Sequence, residues 1–250
     1  VHAFLGVPYG EAPVGRLRLA FGNVSEDCLF ANIFAPAGGQ NLPVLFMLPG
    51  GGFVQFSANQ VKTTQIAETL AARDIVVVII NYRVGYLGFW SSRDGVIPGN
   101  FALHDSIQAL KWLKSNVAAF GGNPNDITIV GTSAGAALAD YLSLTPKAYG
   151  LFNKLALYSG LASKRMPDVA AACRTKASEL GLGNFTTNSK KLLKKLRDVP
   201  ATSFAVSTFK NESWFDHSYY AQAPIKPRLL TSSRLEGALL ALGVASHTVA

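Results

Sequence analysis

The chain has 250 residues, of which 49% are apolar and 15% are charged, enough to bury one large core and too apolar for a wholly disordered protein. Its longest apolar runs, Ile75–Ile80 and Gly237–Ala245, fall short of the roughly 18 residues of a membrane helix. Two cysteines exclude a disulfide-scaffold mini-protein and a four-cysteine zinc site. The net charge of +8 lies almost wholly in the second half, where fifteen Lys/Arg face eight Asp/Glu.

In chain order, Leu42–Leu48 (LPVLFML) is a short apolar run between Gly-Gly-Gln-Asn and Pro-Gly-Gly-Gly, and reads as a strand. Asp74–Tyr82 (DIVVVIINY) is β-branched throughout, the composition of a strand buried on both faces of a sheet. Phe101–Phe120 reads as a helix with Ile107, Leu110, Trp112, Leu113 and Val117 on its apolar stripe and Gly121-Gly122 as its stop. Asp126–Val130 is a second buried-type strand, Ala134–Leu144 a helix, and Leu155–Tyr158 a further strand. Val169–Leu180 and Ser189–Arg197 follow as helices, and Arg228–Thr231 as a last short strand. Strands alternating with helices predict an α/β domain with a parallel sheet covered on both faces.

Lys190, Lys191, Lys194, Lys195 and Arg197 form the densest charge cluster. Leu192, Leu193 and Leu196 lie between them at helical spacing, so the cluster reads as a solvated helix face with its leucines inward. No RNA-binding or zinc-finger motif accompanies it, and no nucleic-acid partner is expected.

Gly131-Thr132-Ser133-Ala134-Gly135 is a Gly-x-Ser-x-Gly pattern. An apolar strand runs straight into it and an alanine-rich helix leaves it, the setting of a nucleophile elbow. A serine there stands at the carboxyl end of a strand, beside the positive end of a helix dipole. Pro49-Gly50-Gly51-Gly52-Phe53 directly follows the first strand. Its bare glycine amides, with that of Ala134, suit an oxyanion hole.

Further segments carry a resemblance. Phe4-Leu5-Gly6-Val7-Pro8-Tyr9, Ala12-Pro13-Val14-Gly15-Arg16-Leu17-Arg18, Ser25-Glu26-Asp27-Cys28-Leu29, Asn81-Tyr82-Arg83-Val84-Gly85, Gly88-Phe89, Pro98-Gly99-Asn100 with Asp105, and Ala118–Pro124 occur in order along the chain. Together they resemble the type-B carboxylesterase family, which includes the cholinesterases and the non-catalytic neuroligins. The resemblance implies an α/β-hydrolase fold, a mostly parallel central sheet with helices on both faces, and a Ser–Glu–His triad. Ser133 matches the nucleophile, and Gly51, Gly52 and Ala134 match the oxyanion donors. Glu236, in Ser232-Ser233-Arg234-Leu235-Glu236-Gly237-Ala238, matches the acid. No metal or organic cofactor is implied, and the expected substrate is a small-molecule carboxylic ester.

The chain departs from the family in several places. Only Leu19–Val24 stand where the family carries a long stretch before Ser25, so Cys28 lacks its usual partner and choline-ester specificity is unsupported. Pro49 replaces a His or Tyr, and Thr132 an acidic residue. Of the four histidines, His2, His104 and His217 precede Glu236, and His247 follows it by only eleven residues. The triad histidine is therefore expected beyond Ala250, with residues 1–250 a partial domain. Alone, these residues are expected to show little or no esterase activity. The alternatives are a neuroligin-like binding module and an inactive truncated product. The tripeptides beginning at Asn23, Asn184 and Asn211 are N-glycosylation acceptors by pattern, which points to a secreted or endoplasmic-reticulum parent.

Overall fold

A computed structural model describes residues 1–13, 27–162, 169–183, 188–204 and 228–231. Its strands are β1 (His2–Pro8), β2 (Phe30–Ala35), β3 (Leu42–Leu48), β4 (Val76–Ile80), β5 (Gly122–Thr132), β6 (Lys154–Tyr158) and β7 (Arg228–Thr231). Its α-helices are α1 (Thr63–Thr69), α2 (Gly85–Phe89), α3 (Phe101–Asn116), α4 (Ala134–Ser143), α5 (Val169–Glu179) and α6 (Ser189–Asp198).

All five side chains of β4 are buried, so the strand has a core on each face. Val76, Val78 and Ile80 join the large core under α3 and α4. Val77 and Ile79 join a smaller one with Phe34 and Ile66 of α1. The strands lie in the order β1-β2-β4-β3-β5-β6-β7. The β1–β2 and β2–β4 pairs are antiparallel, and the remaining four are parallel. Leu48 pairs with Gly131, Gly131 with Leu157, and Tyr158 with Thr231, so β3, β5, β6 and β7 end level at one edge. Loops leaving that edge can share one site, as parallel α/β sheets favour.

The structure adjusts several element boundaries. The strand expected over Asp74–Tyr82 begins at Val76, because Asp74 takes a left-handed conformation (φ 55°) after a 3-10 turn at Ala71–Arg73. The helix expected to Phe120 is α-helical to Asn116 and tightens to a 3-10 turn over Val117–Phe120, closed by Gly121 at φ 79°. β5 begins four residues before Asp126, where Gly122 pairs with Leu42. β1, β2, α1 and α2 carried no readable periodicity. β1 is an edge strand with almost every residue exposed, which removes the alternation that marks a half-buried strand.

One buried ion pair ties α3 to the segment after β4. Asp105 on α3 accepts from Arg83 Nε at 2.8 Å, Nη2 at 2.6 Å and the backbone N–H at 3.1 Å. The guanidinium also lies 5.0 Å from the centre of the Phe101 ring. The two side chains are only 12% and 4% exposed. By contrast, Lys154 and Asp126 are 51% and 35% exposed and form a 2.6 Å surface pair. Asp105→Ala leaves the guanidinium buried without its counter-charge and is expected to cost about 3 kcal/mol. Lys154→Ala should cost less than about 1 kcal/mol. Urea unfolding of the two variants checks the contrast, and equal losses would contradict it.

Candidate active site

The Ile127–Val130 run of β5 carries the chain into Gly131 and on to Ser133. Ser133 sits at φ 53°, ψ −120°, a conformation that an L-residue adopts at a cost of about 1–3 kcal/mol. Three hydrogen bonds hold it there. Its N–H donates to the Tyr158 carbonyl at 2.7 Å, and its own carbonyl accepts from Ala136 N–H at 2.9 Å and Ala137 N–H at 3.1 Å. The crossing is tight enough to require glycine on either side. A Cβ on Gly131 would overlap the Gly135 carbonyl oxygen, and one on Gly135 would overlap the Leu48 carbonyl oxygen. Ser133 itself is exposed, and its hydroxyl has no partner among the described residues. It caps the N-terminus of α4, whose ten residues direct a partial positive charge toward it.

The glycine loop begins against this serine. A Cβ on Gly50 would come within 2.9 Å of the Thr132 carbonyl and 3.2 Å of Ser133 Cβ. The chain then turns through Gly51 (φ 114°) and Gly52 (φ 60°). The Gly51 carbonyl accepts from the amides of Val54 and Gln55, each at 3.1 Å. The amides of Gly51, Gly52 and Ala134 donate to no acceptor among the described residues. Pro49 has no N–H, but its carbonyl anchors the loop: the buried Tyr82 hydroxyl donates to it at 2.5 Å. Burial pushes the Tyr82 pKa up, which keeps this donor protonated.

Tyr82 was not recognisable as a loop anchor in the sequence, where it reads as the end of an apolar strand. Asp140 on α4 also escaped notice. Its Oδ2 accepts from the Ala162 N–H at 3.1 Å and fixes the loop that follows β6. That loop contains Gly160, where a Cβ would overlap the Ser133 carbonyl oxygen.

The remaining candidates lie on other elements or outside the described residues. His2 is on β1, separated from β5 by β2, β4 and β3. His104 is on α3, and burial, followed by the charge of Lys147, lowers its pKa. Cys28 and Cys173 are not joined in a disulfide. Glu236, His217, His247 and the sequons at Asn23, Asn184 and Asn211 lie outside the described residues.

The strand order, the mostly parallel sheet and a serine at a strand–turn–helix elbow define an α/β-hydrolase. Residues 20–235 match the carboxylesterase family, and the chain belongs to it. It is 32% identical to human carboxylesterase 5A, covering 99% of this chain and 51% of that protein. It is 34% identical to venom carboxylesterase-6 of Apis mellifera over 89% of this chain and 46% of that protein. Among solved structures it resembles a PNB esterase, with a TM-score of 0.79 and 30% identity over 95% of this chain and 61% of that one. The chain thus spans about half the length of the curated relatives it matches. The alignment to human carboxylesterase 5A runs over 299 residues, more than the chain contains, so that relative carries internal segments that this chain lacks.

If the elbow strains Ser133, glycine relieves it and alanine does not. Ser133→Gly should therefore be about 1 kcal/mol more stable than Ser133→Ala, or about 2–4 °C higher in Tm. Calorimetry of the two variants tests this, and equal Tm values would contradict a strained elbow.

Proposed function

We propose that the protein is a serine carboxylic-ester hydrolase working through an acyl-enzyme. The observation that carries the reading is the exposed Ser133 hydroxyl at the end of β5, against the start of the glycine loop at Gly50, with the amides of Gly51, Gly52 and Ala134 donating to nothing among the described residues. The Ser133 oxygen attacks the ester carbonyl carbon while a histidine takes its proton. The carbonyl oxygen becomes an oxyanion held by the amides of Gly51, Gly52 and Ala134. Collapse of this intermediate breaks the bond to the alcohol oxygen, which leaves with the proton from the histidine. Water then attacks the acyl-enzyme through the same base, and the carboxylic acid departs. Glu236, five residues after the end of β7, is assigned to orient the histidine. The histidine is read as lying outside the described residues: His2 is on β1, with three strands between it and β5, and His104 is on α3.

Tyr82 is assigned a positioning role. Its hydrogen bond to Pro49 fixes the start of the glycine loop, and donor placement sets how well the oxyanion is held. The substrate is read as a small-molecule carboxylic ester, in keeping with the esterase names of the relatives. The three sequons and the venom origin of one relative support a secreted or endoplasmic-reticulum glycoprotein.

A fluorophosphonate probe tests the assignment directly. In the native protein the adduct should form on Ser133 and vanish in Ser133→Ala. Tyr82→Phe should slow labelling about tenfold, less than the loss of a whole oxyanion donor. Labelling that survives Ser133→Ala, or an unlabelled Ser133, would overturn the reading.

A further inference from the structure

The basic cluster that ester hydrolysis leaves unused lies on α6. Lys190, Lys191, Lys194, Lys195 and Arg197 are all exposed, while Leu192 and Leu196 are buried in the large core. At about 100° per residue, Lys190, Lys194 and Arg197 fall within an arc of about 60°. They form a row about 10 Å long, with Lys191 and Lys195 as a parallel row beside it. On α5, Arg174 is also exposed, and it lines a small cavity with Ser189 and Leu192 at the start of α6.

This arrangement works against the helix that carries it. Lys190 and Lys191 stand in the first turn, where the macrodipole disfavours cations, and that turn holds no acidic residue. Lys190–Lys194 and Lys191–Lys195 are like-charge i,i+4 pairs, which also destabilise a helix. Other lysines of the chain find acceptors: Lys154 pairs with Asp126, Lys176 with Glu179, and Lys114 binds two backbone carbonyls. Lys190, Lys191 and Lys194 pair with no carboxylate among the described residues. Asp94, close to the start of α6, accepts instead from the Ser92 and Ser189 hydroxyls, which hold its carboxyl below its usual pKa. Unrelieved local conflict of this kind marks sites kept for something other than stability.

We infer that the exposed face of α6 is a docking surface for a linear sulfated polysaccharide. A row of sulfates laid along the helix would meet both rows of cations and remove their mutual repulsion. The leucines that a membrane-binding helix would insert are committed to the core, which disfavours a lipid surface. Four of the five cations are lysines, which act as point charges. The helix carries no aromatic, Asn or Gln to stack on or read bases, which disfavours a nucleic acid. This inference is independent of the catalytic assignment.

The test is titration of the chain with heparin, with duplex DNA and phosphatidylserine vesicles as competing arms. Heparin should bind most tightly, with affinity falling on a log–log salt plot at a slope of magnitude about three to five. The double variant K190E/K194E should lose about tenfold or more in affinity. Its Tm should hold or rise, because an acid enters the first turn, so a folding failure would not be mistaken for lost binding. The equal-charge control K62E/R73E, on either side of α1 over the smaller core rather than the one that buries the α6 leucines, should change binding little. Three results would overturn the proposal: no heparin binding at 0.15 M salt, equal losses in the two double variants, or preferred binding of DNA or vesicles.

Discussion

The first turn of α4 presses so closely on the ends of β3 and β5 that neither Gly131 nor Gly135 has room for a Cβ. This contact sets the rest of the site. It forces the chain to reverse within one residue, and Ser133 absorbs the reversal at φ 53°. The conformation is unfavourable by itself and persists because its N–H and carbonyl are both bonded, to β6 and to α4 respectively. The result is a hydroxyl held above the sheet edge on rigid elements, with a helix N-terminus beneath it.

The other parts of the site depend on that edge being level. β3 ends at Leu48 opposite Gly131, which brings the glycine loop against the serine. Tyr82, just beyond β4, reaches across to the Pro49 carbonyl and fixes where the loop starts. The next residue, Arg83, is itself fixed by Asp105. Adjacent residues of one short segment thus anchor the glycine loop and the core helix α3. A single segment that serves both needs tells why Asn81-Tyr82-Arg83 forms a motif rather than a loose strand end.

Val76–Ile80 was readable because it is buried on two sides and both faces demand apolar residues, though it was overextended, and the short apolar runs Leu42–Leu48 and Arg228–Thr231 match residue for residue. The elbow was readable for a related reason, since steric exclusion of a Cβ writes glycine into the sequence at fixed positions around Ser133. β1 and β2 were not readable, being set by antiparallel pairing to each other and to β4 rather than by their own pattern. The role of Tyr82 was hidden because its partner is a backbone carbonyl 33 residues away, which no side-chain pattern records. The α6 leucines and lysines separated as their spacing required, yet spacing alone says nothing of what the charged face is for.

The central claim is that Ser133 forms a covalent acyl intermediate. Rapid quenching of the native protein with p-nitrophenyl acetate, followed by peptide mass spectrometry, measures this directly. The account predicts one acetyl group on the peptide containing Ser133, formed with p-nitrophenol release. Release of p-nitrophenol with Ser133 unmodified, or with acetyl carried by another residue, would contradict it.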